Sequence, residues 1–146
     1  MTEEQMKATI RGFLQSSVAG DITKALSFLT DDAVWVAPQG TFKGIAEIKH
    51  LLTWNNQIAK DSKVAETGIG IITQGHIGVI EHKLSGTTNG MKWEIPATCI
   101  YEFKNNKIQN LKGFFDTLAL AKQAAKGPFA KMVVKLVVNR TEKGLH

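Results

Sequence analysis

The chain has 146 residues, of which 43% are hydrophobic and 21% are charged, values typical of one globular domain. Its single cysteine, Cys99, excludes an internal disulfide and a metal site built from several cysteines, and it indicates a reducing compartment. The acidic N-terminus and the lack of a long apolar run predict neither a secretory signal nor a membrane helix, so we expect a cytoplasmic protein with no membrane partner.

The net charge is +5, and the basic residues concentrate near the C-terminus. Such a charge can favour nucleic acid, but here no run of adjacent basic residues or RNA-binding aromatic motif accompanies it. We therefore expect no nucleic-acid partner and interpret the basic residues as a solvated surface. They are Lys122, Lys126, Lys131, Lys135, Arg140 and Lys143.

Two helices are predicted within the first 30 residues. Apolar side chains recur at helical spacing from Met6 to Val18. Gly20 should end this first helix, and Asp21 should cap a short second helix over about 22–29.

A strand and a third helix come next in the chain. Residues 33–37 read as a strand that Pro38 ends, followed by a brief extended piece at 41–43. The third helix should then run from about 44 to 59, with its apolar positions turned inward.

The second half of the chain predicts antiparallel strands joined by turns. Residues alternate along 91–103, with apolar side chains on one face and charged ones on the other. Helices first and strands later are typical of an α+β domain with helices on one face of an antiparallel sheet. The expected strands cover 63–73, 76–84, 91–103 and 107–115, and the expected turns are Gln74-Gly75, Ser85–Gly90 and Asn105-Asn106.

The last part of the chain allows two interpretations. A closing helix should span about 117–126, before the break at Gly127-Pro128. Residues 128–146 are rich in β-branched residues yet also amphipathic, so they could form a helix or an extended arm on a partner subunit. We expect one domain over 1–127 and a C-terminal extension over 128–146, which is either part of the same domain or a dimer arm.

Four features together resemble the nuclear-transport-factor-2-like superfamily, which includes SnoaL-like polyketide cyclases, limonene epoxide hydrolases and ketosteroid isomerases. The first is an early helix ending in AGD and followed by ITKALSFLTDDAVW. The second is PQGTFKGIAEI before the third helix, and the third is the late hairpin IYEFKNNKIQNLKGFFD. The fourth is the order of elements, and the resemblance covers about 3–126.

The resemblance implies a cystatin-like cone, in which N-terminal helices pack on a curved antiparallel sheet and the open end admits a ligand. It also implies a homodimer. It implies no particular reaction, because similar folds carry enzymes, carriers and assembly modules. We expect no cofactor and no metal, since His50 and His76 show no metal-ligand spacing with each other or with a carboxylate.

The residues that ketosteroid isomerases use are absent. The positions that carry their tyrosine, aspartate base and aspartic acid fall on Phe13, Ala37 and Cys99. Phenylalanine and alanine transfer no proton, and an unactivated thiol is only a weak donor. We therefore expect no steroid isomerisation by that mechanism.

The site of the cyclases and epoxide hydrolases is also incomplete. The first aspartate of their last strand falls on Gly113, and only the second remains, as Asp116. An Arg-x-Asp pair on an inner strand falls on Ile80 and His82, although a shift of one residue would bring Glu81 in.

His82 and Asp116 remain as catalytic candidates. Histidine can act as acid or base at neutral pH, but His82 could instead be hydrogen-bonded in the core or at the rim of the cone. Asp116 stands where an acid would be expected and also where a helix N-cap would be. Cys99 could be a nucleophile, but a buried small hydrophobe is the simpler interpretation.

Aromatic residues dominate the predicted inner faces. Some must pack the core, and others should line an apolar pocket, where Trp35 and Trp93 would offer N–H donors and Trp54 would close the cone. We expect a small hydrophobic ligand, cyclic or polyketide-like, and either cofactor-independent isomerase, cyclase or hydrolase chemistry or a non-catalytic ligand-binding or protein-interaction domain. The expected pocket residues are Phe13, Trp35, Ala37, Trp54, Trp93, Cys99, Tyr101, Gly113 and Phe115.

Overall fold

A computed structural model describes residues 1–141 and 143 of the chain. Within them, three helices and two strands precede a run of four longer strands, and two helices follow. The elements are α1 (Glu3–Ala19), α2 (Ile22–Ser27), β1 (Leu29–Ala37), β2 (Gly40–Lys43), α3 (Gly44–Ile58), β3 (Lys60–Gln74), β4 (Ile77–Thr88), β5 (Met91–Lys104), β6 (Lys107–Phe115), α4 (Thr117–Ala124) and α5 (Gly127–Thr141).

Local signals place the helix boundaries. Thr2 forms a capping box with Gln5 at the start of α1, and Gly20, at a φ of 79°, ends it in the left-handed conformation. Asp21 then caps α2 by accepting a hydrogen bond from the Lys24 amide at 3.1 Å. The predicted helix break between α1 and α2 is confirmed.

The six strands form one curved sheet in the order β2-β1-β6-β5-β4-β3. The α+β fold with helices packed on this sheet is as predicted, but the sheet is mixed, because β1 pairs with β6 in parallel. The sequence alone gave no sign of this pairing, which joins segments about 75 residues apart in the chain.

One hairpin turn is tighter than predicted and another is shifted by one residue. The turn expected over Ser85–Gly90 is only Asn89-Gly90, since Ser85 continues β4 and pairs with Glu94. Asn89 and Gly90 both have positive φ, as a two-residue hairpin turn requires. The turn between β3 and β4 falls at Gly75-His76, one residue later than predicted.

The core lies between the concave face of the sheet and the helices α1 and α3. α1 packs on β3 and β4, and α3 packs on β1. A bulge in β3 between Glu66 and Ile71, with Gly68 and Gly70 at positive φ, helps the sheet curve around α1. Arg11 of α1 donates two hydrogen bonds to the Glu66 carboxylate, from Nε at 2.5 Å and from Nη2 at 3.1 Å. These bonds hold α1 against β3.

The ambiguous C-terminal extension is helical in its described part. α5 follows α4 directly and packs on it. Several of its large apolar side chains are exposed, including Phe129 at 73% and Leu136 at 59%. Residues 142 and 144–146 of the expected extension lie outside the described residues.

Candidate functional site

A cavity of about 260 Å³ lies on the concave face of the sheet, between α1, α3 and the ends of β4, β5 and β6. Its wall is mainly apolar, with Phe13, Leu52 and Ile95 among the lining residues. No aspartate, glutamate, lysine or arginine appears among its described lining residues. The cavity therefore suits an uncharged, largely apolar ligand.

His82 stands in this wall because of strand parity. Along β4, Ile80 and His82 both point inward, and His82 is only 1% exposed. Its neighbours across the sheet are Ala97 on β5 and Glu66 on β3. Its Nδ1 atom is buried and makes no hydrogen bond of good geometry with the described residues, although the Ile80 backbone is close enough to the ring to affect its pKa.

Burial lowers the pKa of His82, because desolvation disfavours the imidazolium; the Ile80 backbone opposes part of this shift. The imidazole is consequently neutral at pH 7. A neutral imidazole can accept a proton, so His82 has the chemistry of a general base. The imidazolium formed when it accepts a proton is costly in this apolar wall, which favours return of the proton to the ligand.

Cys99 lies beside His82 on the next strand, paired with Ile80 on one side and Gly113 on the other. Burial raises the pKa of the Cys99 thiol to about 11, and the Tyr101 hydroxyl opposes part of that shift. The thiol therefore stays protonated at neutral pH. This favours a small apolar wall residue over a nucleophile.

The tryptophans differ in whether their N–H groups are used. Trp93 donates its Nε1–H to the Thr88 hydroxyl at 3.0 Å. This N–H is therefore not free to bind a ligand, contrary to our prediction. Trp35 packs edge-on against Phe13 with ring centroids 5.6 Å apart. Its Nε1 atom is buried without a partner.

Two predicted pocket residues lie elsewhere. Tyr101 is wholly buried beyond the end of the cavity, where it packs edge-on against Phe13 with ring centroids 6.2 Å apart. Trp54 does not close the cone, since it is 41% exposed and does not line the cavity. On α3 it follows Leu52 by two positions, which turns it about 200° away from that buried side chain.

Asp116 is a helix cap at the edge of the site. Its Oδ1 accepts a hydrogen bond from the Ala119 amide at 2.8 Å and so begins α4. It is exposed and is not among the residues that line the cavity. Asp116 therefore has a structural role as a helix cap. Because it does not line the cavity, it is not placed to transfer a proton to a ligand bound there.

α4 covers part of the cavity through Leu120 and Ala124. It is held to β5 by Gln123, whose side chain accepts from the Glu94 amide at 2.8 Å and donates to the Glu94 carbonyl at 2.9 Å. Outside this contact lies a more open, polar groove of about 470 Å³, separated from the cavity by Trp93.

The structure thus brings together most of the predicted site. The residues that meet at the cavity are Phe13, Trp35, Ala37, His82, Trp93, Cys99, Gly113 and Phe115. The sequence analysis did not predict that α4 lines the cavity, or that residues of α1 other than Phe13 line it. The same helical stripe that included Phe13 also contained Leu14 and Val18, so the signal was present.

Asn56 also lines the cavity, and the prediction omitted it. Its Nδ2 donates to the Ser17 carbonyl at 3.0 Å and to the Leu52 carbonyl at 2.9 Å, which ties α3 to the end of α1. Polar residues on a helix give no periodic signal for such a role.

Neither a metal cluster nor a membrane-spanning helix is found in the described part of the chain. No three His, Cys, Asp or Glu side chains are grouped there in a way that could hold a metal ion. None of the described helices is both long enough and apolar enough to cross a membrane.

Comparison with known proteins identifies the family and the fold. A family model for the SnoaL-like domain matches residues 10–111. No curated protein matches the chain.

Several solved structures share the fold at low sequence identity. A nuclear-transport-factor-2-like protein of unknown function from Burkholderia pseudomallei is 19% identical with a TM-score of 0.76, over 86% of this chain and 100% of that chain. An LEH-like epoxide hydrolase from M. tuberculosis is 15% identical with a TM-score of 0.71, over 92% and 97%. TerC, co-crystallised with polyporic acid, is 22% identical with a TM-score of 0.72, over 82% and 97%. At these identities the likeness concerns the fold alone.

Proposed function

Because the chain belongs to the family of SnoaL-like domains, we propose that its cavity binds a small, largely apolar cyclic compound and that His82 acts on it as an acid–base catalyst. One observation carries the proposal. Among the described residues, His82 is the histidine in the cavity wall, it is 1% exposed, and its Nδ1 makes no hydrogen bond of good geometry. A core histidine kept only for packing is normally hydrogen-bonded.

The composition of the wall supports an uncharged ligand. A charged ligand would lose its hydration there without gaining an ion pair, because no ionised side chain lines the described cavity. The volume of about 260 Å³ lies near the lower end of ligand sites and so favours a small compound. Solved structures of similar fold include an epoxide hydrolase and TerC with polyporic acid, which is consistent with small-molecule chemistry in this fold.

The chemistry that fits a neutral imidazole is abstraction of a proton next to a carbonyl group. The imidazole nitrogen takes the proton, and the C–H electron pair moves into the carbonyl to form an enolate. Where a C=C bond is conjugated with the enolate, returning the proton to the far carbon of that bond shifts the double bond and gives an isomerase. Where the enolate carbon attacks a second carbonyl of the same ligand, the alkoxide formed takes the proton back from the imidazolium, which gives a cyclase. Both outcomes begin with the same proton transfer to His82.

A non-catalytic ligand-binding domain is the second candidate. The observation that favours it is the lack of a carboxylate in the described cavity wall, where Gly113 and Cys99 stand at positions that could carry one. It predicts binding and thermal stabilisation by ligands without any turnover.

Proton exchange separates these two functions without knowledge of the natural substrate. The probe is 2-indanone, a two-ring ketone with exchangeable protons beside its carbonyl, dissolved in D₂O and followed by ¹H NMR. We expect the protein to accelerate loss of these proton signals, and the His82→Gln variant to lose this acceleration with an intact thermal transition. His76→Gln is the control, since His76 is exposed. Equal exchange by wild type and His82→Gln would contradict the catalytic role.

We also propose that the protein is a homodimer to which α5 contributes. The exposed apolar stripe of this helix, made of Phe129, Met132, Val133 and Leu136, supports the proposal. These residues recur at helical spacing on one side of α5, and such exposed apolar surface is typical of an interface.

Light scattering after size-exclusion chromatography tests this. The full chain should have twice the 16.0 kDa mass of one chain, and a Leu136→Glu variant or a chain lacking residues 128–146 should have the single mass. The cavity needs none of residues 128–146, so binding of 2-indanone should persist in both. A truncated chain that remains dimeric would remove α5 from the interface.

A further inference from the structure

We propose that the cavity contains a subsite for an acceptor oxygen of the ligand, formed by the indole N–H of Trp35 beside Gly113. The ligands of this site are then uncharged cyclic compounds that carry a carbonyl group. The inference rests on the proposed function only in that a small cyclic compound enters the cavity, and it does not require His82 to be catalytic.

The first observation is the unused donor of Trp35. The ring is held by its edge-on contact with Phe13, and its Nε1 atom is buried with no partner among the described residues. A buried N–H without an acceptor is costly, so most such groups in proteins are paired. Trp93, the other tryptophan of the cavity, follows this rule by donating to Thr88.

The second observation is the glycine beside this donor. Gly113 is not among the residues with positive φ, so its backbone conformation does not require glycine. A Cβ at this position would contact Trp35 Nε1 and Cys99 Sγ at 3.6 Å each, an ordinary packing distance. Glycine is therefore needed neither for the turn of the chain nor for close packing. Its effect is to leave the space next to the Trp35 N–H without a side chain.

The chemistry of that space selects the ligand group. An indole N–H can only donate, so the group it meets must be an acceptor. Cys99 keeps its thiol proton and offers at most a weak donor to the same oxygen. A carbonyl oxygen fits both neighbours, whereas a carboxylate would bring a charge into a wall with no described cation.

The consequence is that Trp35 and His82 would approach adjacent groups of one ligand from different strands, the carbonyl oxygen and the C–H beside it. Trp35 lies on β1 next to β6, and His82 lies on β4, with β5 between β4 and β6. An oxygen held at Trp35 would orient the ring of the ligand across β5 toward His82. Trp35 would also stabilise the negative charge that develops on that oxygen when a neighbouring proton is removed.

NMR of the indole N–H groups tests the subsite. The three tryptophans, Trp35, Trp54 and Trp93, give three indole ¹H–¹⁵N signals, which the Trp35→Phe and Trp93→Phe variants assign. The two probes are 2-indanone and indane, which share a ring skeleton but differ in the carbonyl. We expect saturable 2-indanone binding to move the Trp35 signal downfield, and indane to cause no comparable downfield shift.

Affinities of the variants make the same test quantitative. Trp35→Phe should weaken 2-indanone binding roughly fivefold to tenfold, as loss of one buried hydrogen bond implies, and leave indane binding almost unchanged. Gly113→Ala should fold normally, because its Cβ makes ordinary contacts, and should likewise reduce the preference for the ketone. Trp93→Phe is the matched control for the preference between the two probes: Trp93 also lines the cavity but its donor is already used by Thr88, so its loss should affect 2-indanone and indane alike.

The outcomes distinguish this inference from the proposed catalysis. In His82→Gln the downfield shift of Trp35 by 2-indanone should persist even though exchange of its protons is lost. Equal shifts by indane, an equal loss of the preference for 2-indanone over indane in Trp35→Phe and Trp93→Phe, or failure of both probes to bind would overturn the subsite.

Discussion

At the scale of single residues, the chemistry depends on which cavity groups can change charge near neutral pH. Among the described lining residues, His82 is the group with such a pKa, because the Cys99 thiol is held protonated by a pKa of about 11. Burial keeps His82 neutral, which is the form a general base needs. The same burial links the charge of this residue to the stability of the fold.

The first prediction concerns this link. Because folding lowers the pKa of His82, the folded state binds fewer protons than the unfolded state. The stabilisation is complete above the unfolded pKa of about 6.5 and is lost as pH falls through the folded pKa. The melting temperature of the wild type should therefore decrease between pH 7.5 and pH 5.

His82→Gln should show a smaller decrease over the same pH range, even if its melting temperature is lower throughout. The exposed His76→Gln variant should follow the wild type. Parallel curves for wild type and His82→Gln would show that His82 does not titrate differently in the two states.

Strand parity made the inward position of His82 predictable from the sequence, since alternate residues of a strand share a face. The different states of Trp35 and Trp93 were not predictable. Both fall on inner faces, but the Thr88 hydroxyl reaches Trp93 only because the hairpin between β4 and β5 is tight. Whether two side chains form a hydrogen bond depends on their positions in the folded structure, which the alternation of residues along a strand does not predict.

At the scale of elements, capping residues decide where helices begin, and Asp116 shows how such a residue can resemble a catalytic one. Its carboxylate is exposed and accepts the Ala119 amide at the start of α4. α4 in turn covers part of the cavity with Leu120 and Ala124. Asp116 therefore stabilises the start of the helix that covers the cavity, which explains its position without any role in proton transfer.

Substitution of Asp116 separates the two roles. Asp116→Ala should lower stability by about 1 kcal/mol, because the cap is lost, whereas Asp116→Asn should retain the cap and nearly all of the stability. Neither should alter the exchange of 2-indanone protons by more than the change in folded fraction. Loss of exchange in the fully folded Asp116→Asn protein would show that the carboxylate itself takes part.

The elements themselves were largely predictable, whereas one strand pairing was not. Gly20, Asp21 and Asp116 are local signals, and they mark the helix ends that the structure shows. The parallel pairing of β1 with β6 depends on how the whole sheet closes around α1 and α3, so it has no local signature. Likewise, we predicted that Trp54 would face the cavity because it is a large apolar residue. It lies off the buried stripe of α3 and is exposed.

At the scale of the whole molecule, one end of the cone is filled with core side chains and the other end contains the cavity. The end beyond Phe13 is filled by Tyr101, Ile108 and other core residues, which stabilise the fold by burying apolar surface. The Tyr101 hydroxyl of this end is also buried without a partner, but Tyr101 does not line the cavity. The other end keeps a cavity between α1, α3, α4 and the sheet, and there the unpaired polar atoms belong to Trp35 and His82, which line it. Such unpaired groups are expected where a ligand supplies the missing contacts.

The pH profile of 2-indanone exchange tests the central claim most directly, because it reports both the identity and the protonation state of the base. After subtraction of exchange without protein, the wild-type rate should be constant above pH 7 and fall at lower pH with a midpoint below 6.5, since only the neutral His82 can accept the proton. His82→Gln should show no protein-dependent exchange at any pH. Exchange that persists in His82→Gln with the same profile as the wild type would contradict the account.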